Sequence, residues 1–150
     1  TLFRLAAIIL AGGGEPGGAE AAGYAGVSYA LTGLIRSFAW RAARGQIYVP
    51  ADLLEKRGAT PAAALVRPAK PALIGALAEL RDLARRRHRE AIAALPEVSS
   101  AAVAAFVPLA TVPIYLATVD RANYQPFASR IDAPQWRRQW AMWRFARKYG

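Results

Sequence analysis

The 150-residue chain has no cysteine, one histidine and one methionine. Without cysteine it forms neither a disulfide nor a thiolate metal site, and His88 alone cannot build a multi-histidine centre. Acid is scarce as well: ten Asp+Glu against twenty Lys+Arg leave a formal charge of +10 and a pI near 10.8. A hydrophobic fraction of 55% with only 20% charged residues excludes a disordered polyelectrolyte. No segment alternates apolar and polar residues long enough to argue a sheet. What is abundant is alanine, at 35 positions, and arginine, which supplies 17 of the 20 cations. Alanine has the best intrinsic helix propensity, so the expectation is an all-α fold.

Breakers and periodicity divide the chain into helices. Thr1–Leu10 (TLFRLAAIIL) reads as the last turns of a helix, starting inside an amphipathic run as an internal piece of a longer domain would. Gly12-Gly13-Gly14 and Pro16-Gly17-Gly18 follow as a loop. A phosphate loop would need Gly-Lys-Ser/Thr there. Glu15 and Glu20 would instead repel phosphate, so a flexible connector is expected. A long helix is predicted from about Ala19 to Ala43, with Tyr24, Val27, Leu31, Leu34, Ile35 and Phe38 at three-and-four spacing. Thr60-Pro61 suits an N-cap followed by proline at the first helical position. A second long helix, Leu73–Leu95, turns Leu73, Leu77, Leu80, Ala84, Ala91 and Leu95 inward and loads Arg81, Arg85, Arg86 and Arg89 outside. The apolar run from about Ser99 to Asn123 approaches the length of a membrane span. Pro108, Pro113 and its hydroxyl residues favour a kinked central bundle helix instead. A last helix, Pro134–Lys148, carries Trp136, Trp140 and Trp143 as a stripe among arginines.

The stretch Tyr24–Gly58, YAGVSYALTGLIRSFAWRAARGQIYVPADLLEKRG, resembles the squalene/phytoene synthase family. The likeness rests on Leu31, Thr32, Arg36, Arg44, Gly45, Ile47, Tyr48, Pro50, Leu53, Leu54 and Gly58. A second match, IYLATVDRANYQPFASRI from Ile114 to Ile131, includes Tyr115, Asn123 and Tyr124. The resemblance implies an all-helical isoprenoid-synthase bundle, of which residues 1–150 would form one domain's C-terminal part. It also implies two Asp-rich motifs holding Mg²⁺ on the diphosphate of a prenyl donor, because a departing diphosphate needs its charge neutralised. Arg36, Tyr48 and Tyr115 fall at family positions near that diphosphate.

The likeness breaks down where the metal chemistry would sit. The second Asp motif aligns with Ser37, Phe38, Ala39, Trp40 and Arg41, so both aspartates and the glutamate between them are replaced. Two polar positions one and two turns earlier have become Ala30 and Gly33. The first motif would lie upstream of Thr1. A guanidinium at Arg41 would repel a cation at ~4 Å by about 4 kcal/mol per unit charge at an effective dielectric of ~20. The expectation is therefore a non-catalytic binding or assembly protein with no metal or other cofactor. It is similar to the branch that holds the mitochondrial respiratory complex I assembly factor and related bacterial proteins. The alternative is an active prenyl transferase condensing prenyl diphosphates through the upstream motif alone.

Three surfaces are candidates for ligands or partners. Ser37, Arg41 and Arg44 share one helix face and could form a metal-free anion pocket for a prenyl diphosphate or another anionic lipid. The run Arg85–Arg89 is either a solvated helix face or an electrostatic footprint for anionic lipid or an acidic protein. The stripe Trp136, Trp140 and Trp143 fits bundle core and interfacial amphipathic helix equally. No nucleic-acid recognition motif accompanies the positive charge. A cytoplasmic protein is expected, peripheral on the inner face of a membrane, or on the matrix side if mitochondrial.

Overall fold

The computed structural model describes residues 1–150 and is all-α. Its helices are α1 (Leu2–Leu10), α2 (Ala19–Ala42), α3 (Ala51–Glu55), α4 (Pro61–Ala64), α5 (Pro71–Ala93), α6 (Val112–Val119) and α7 (Gln135–Tyr149). A short 3₁₀ turn (Leu95–Glu97) and a long 3₁₀ helix (Ser100–Thr111) join α5 to α6. Local chemistry accounts for several ends. The Thr60 hydroxyl accepts the Ala63 N–H at 3.2 Å, which caps α4. Gly45 and Gly58, both in left-handed backbone, lie just past the ends of α2 and α3.

Helices α2 and α5 form an antiparallel pair. Ser28 on α2 meets Ala84 on α5, while Leu34, Ile35 and Phe38 meet Leu77 and Leu80 further along. Small side chains are buried along both helices: Ala21, Ala22, Ala25 and Ser28 on one, Ala76, Ala84 and Ala91 on the other, all essentially inaccessible. Close approach leaves the Ser28 hydroxyl beside a backbone carbonyl, and it donates to Ala84 O at 2.9 Å. All six residues of the predicted inner stripe are buried, five of them on α5; the sixth, Leu95, lies in the 3₁₀ turn beyond it, because the helix ends at Ala93 and not at Leu95.

The run after Ser99 is not the single kinked α-helix expected, and its helix ends at Val119 rather than near Asn123. Residues 100–111 are 3₁₀, and their large buried side chains, Val103, Phe106 and Leu109, recur every third residue, with Ala102 and Thr111 buried beside them. Side chains three apart eclipse in a 3₁₀ helix, so this spacing gives it one continuous apolar edge. The segment Ser100–Val119 is long and apolar enough to cross a membrane, with mean hydropathy 1.9. In the fold it is a core element on which α1, α2 and α7 pack. Phe3 of α1 meets Phe106 at a ring separation of 5.7 Å.

The glycine loop is also more structured than a flexible connector. Pro16 is fully buried, and its carbonyl accepts the Ser99 N–H at 2.8 Å. Gly18 has φ +58°, and a Cβ there would stand 2.3 Å from Val98 Cγ2. Arg4 reaches across to the Glu15 carboxylate and the Gly17 carbonyl, anchoring the loop to α1. Of the loop's glycines, only Gly12 and Gly13 stand in open space.

Candidate functional site

The last turns of α2 carry Arg36, Ser37, Trp40 and Arg41, with Arg44 just beyond. The buried stripe Ser28, Thr32, Ile35 and Phe38 fixes the rotation of the helix and leaves these side chains on its outer arc. Arg36 and Arg41, five residues apart, project about 140° from each other and lean over opposite edges of that stripe. The structure accordingly divides the candidate residues into two groups.

In the first group, Arg36 lies 3.8 Å over the ring of buried Tyr115 and donates from Nε to the Ile131 carbonyl at 3.5 Å. Here α2, α6 and the segment before α7 converge. Asp132 follows, its carboxyl held below the usual range first by the Ala133 N–H and then by Arg130, Arg138 and Arg36. Arg138 of α7 is raised above its ordinary value, chiefly by the Tyr115 hydroxyl and also by Asp132. A cavity of about 350 Å³ opens beside them, lined by Tyr29, Tyr115, Gln135, Arg138 and Gln139 among others. Sequence reasoning missed Arg138 and Asp132. The available signal was the stripe Arg138, Met142, Phe145 and Tyr149, whose spacing marks the side of α7 that faces inward.

In the second group, Arg41 donates from Nε to the Ser37 hydroxyl at 3.0 Å and lies 4.4 Å over the Tyr48 ring. Ser37 in turn donates to the Gly33 carbonyl at 2.9 Å. Tyr48 thus stands with Arg41 rather than with Arg36 and Tyr115. Arg44 turns away and stacks 3.5 Å over exposed Trp40. The void beside Arg41 is only about 10 Å³, at the limit for one water, so an anion held by Arg41 rests on an open face. None of Arg36, Arg41 and Arg44 pairs with a carboxylate. From Gly33 to Arg44 the helix offers a hydroxyl and three guanidiniums and no carboxylate, a donor set that does not fit Mg²⁺.

The other two candidate surfaces lie elsewhere. Arg85 is half-buried and pairs with Asp120 and Asp82, and Arg81 joins the same network, so Arg85 ties α5 to the end of α6. Arg86 and Arg89 are exposed. His88 between them is half-buried with Nδ1 unpartnered, and burial first, then Arg89, holds its pKa below the ordinary value. On α7 the inward residue is Phe145. Trp136, Trp140 and Trp143 point outward, 63%, 54% and 48% exposed, which removes the bundle-core reading of that stripe.

The family model described as squalene/phytoene synthase matches residues 1–144. Neither a curated protein nor a solved structure matches the chain significantly. With that match running nearly end to end over an all-helical fold, the chain belongs to the squalene/phytoene synthase family.

Proposed function

We propose that this chain is a non-catalytic member of its family, in which the second Asp-rich, metal-holding motif has become a metal-free anion-binding face. The observation that carries this reading is the Ser37–Arg41 pair. One turn apart, where the family resemblance puts two carboxylates, a hydroxyl orients a guanidinium instead. A guanidinium binds phosphate oxygens in pairs, so it can replace the cation as the partner of a diphosphate. It cannot polarise the leaving oxygen as a Lewis acid does, so this face supplies no metal-assisted ionisation of the carbon–oxygen bond. Binding is kept and chemistry is lost.

The ligand class is a prenyl diphosphate or another anionic lipid, bound without Mg²⁺ or any other cofactor. Such a protein acts by presenting its bound lipid or its surface to a protein partner, as an assembly factor of the complex I type would. It belongs in the cytoplasm or, in a mitochondrion, on the matrix side of the membrane.

Calorimetry with farnesyl and geranylgeranyl diphosphate tests the reading. Heat is expected without Mg²⁺, and Arg41→Ala should weaken binding about 10- to 100-fold, the worth of a charge-assisted hydrogen bond. Mg²⁺-dependent condensation product from the full-length protein would overturn the proposal in favour of an active transferase. Binding indifferent to Arg41→Ala would overturn the anion face.

A further inference from the structure

A second surface, separate from the α2 face, is built on α7. The sequence QWRRQWAMWRFARKY has five cations and no acid. Its inward side, Phe145 with Met142 and Tyr149, sits on the bundle, and Phe145 and Tyr149 pack ring to ring at 4.8 Å. Trp136, Trp140, Trp143 and Arg147 fall on the opposite arc, about 180° away by the 3.6-residue period. Trp140 and Trp143 stack at 4.9 Å and form a ridge along the outside of the helix. Arg137 and Arg147 lie over Trp136 and Trp143 at 5.3 and 5.0 Å.

Between this ridge and α6 runs an open groove of about 890 Å³. Its floor is apolar, with Ala110, Ile114 and Ala117, and its rim is cationic, with Arg121, Arg137 and Arg144. None of the α7 cations and not Arg121 is paired with a carboxylate. Asp132 is the one acid lining the groove, and Arg130 pairs with it.

The geometry points to α7 as an interfacial helix that docks the protein onto an anionic lipid bilayer. Charge complementarity selects this occupant: unpaired cations of one sign face a surface of phosphates. Exposed tryptophans add the side chain that partitions best into the headgroup region. The helix lies flat, with the Trp ridge entering the interface. Arg137 and Arg144 at its flank and Arg147 at the end of the ridge meet lipid phosphates, and the groove floor covers acyl chain displaced by the ridge.

Flotation of the chain with phosphatidylcholine vesicles, with and without phosphatidylglycerol, tests the inference. Binding is expected only to the anionic vesicles and should fall as salt rises. Each neutralised cation should cost about fivefold, so Arg137→Gln/Arg144→Gln/Arg147→Gln should lose on the order of a hundredfold. Trp140→Ser/Trp143→Ser should also detach the protein, and because both side chains face outward its thermal midpoint should hold. Arg86→Glu/Arg89→Glu, across α6 on α5, should still float. No binding, equal binding to neutral vesicles, or equal loss in the α5 variant would each overturn the inference. None of these results bears on Arg41 and diphosphate.

Discussion

At the residue scale, the informative groups are those whose polar atoms the fold has buried without a partner. The Tyr124 hydroxyl is one, and burial pushes its pKa from 10.0 up to about 12. The folded state therefore holds a proton that the unfolded chain has lost once the pH exceeds 10. Below pH 10 the hydroxyl is neutral in both states and carries no penalty, and the fold loses stability as the pH climbs from 10 towards about 12. Tyr124→Phe should flatten this alkaline decline in urea titrations. At neutral pH it should leave stability equal or slightly higher, because an unsatisfied hydroxyl gains nothing from burial. A stability loss above about 1 kcal/mol at neutral pH would show that the hydroxyl has a partner. Tyr124 also shows what sequence could not supply. Its place in the motif Ile114–Ile131 was legible, but a missing hydrogen-bond partner depends on residues far away in the chain.

At the element scale, the antiparallel pair α2 and α5 holds the candidate site in place, because its contact sets how α2 presents Arg36 and Arg41. The contact depends on small residues, and Ala84 has no accessible surface where it meets Ser28. Ala84→Leu should push the two helices apart and cost about 1–3 kcal/mol, read from the midpoint of chemical unfolding. Ala84→Ser, a much smaller change, should cost less than the leucine. Helix positions were legible because leucine and alanine recur at the helical period and glycine or proline marks the ends. The 3₁₀ geometry of residues 100–111 was not recovered. Val103, Phe106 and Leu109 fit one α-helical face nearly as well, so their spacing does not separate the two geometries. The tryptophans of α7 were ambiguous for a related reason. Two stripes, Trp136-Trp140-Trp143 and Arg138-Met142-Phe145, share that helix, and the fold can bury only one of them.

At the scale of the whole molecule, cation excess governs both stability and reach. A formal charge of +10 spread over this surface repels itself, while only ten acids are available for pairing. Raising salt from very low levels to about 0.15 M, where the Debye length is ~8 Å, should raise the thermal midpoint. A midpoint that falls instead would mean that ion pairs such as Arg85–Asp120 outweigh the repulsion. The family and the all-α class were legible from the sequence. The angle between Arg36 and Arg41 follows from their five-residue spacing, but that one meets Tyr115 and the other Tyr48 depends on the rotation of α2 in the fold. The long 3₁₀ helix carries one more consequence. At ~2.0 Å per residue, its twelve residues reach about 24 Å, where an α-helix would reach about 18 Å. It acts as a ruler with threefold marks. Inserting one residue turns everything beyond it by about 120° and lifts the buried edge off the core, whereas inserting three restores the facing. Even an insertion of three, which keeps the facing, carries everything beyond it about 6 Å along the axis.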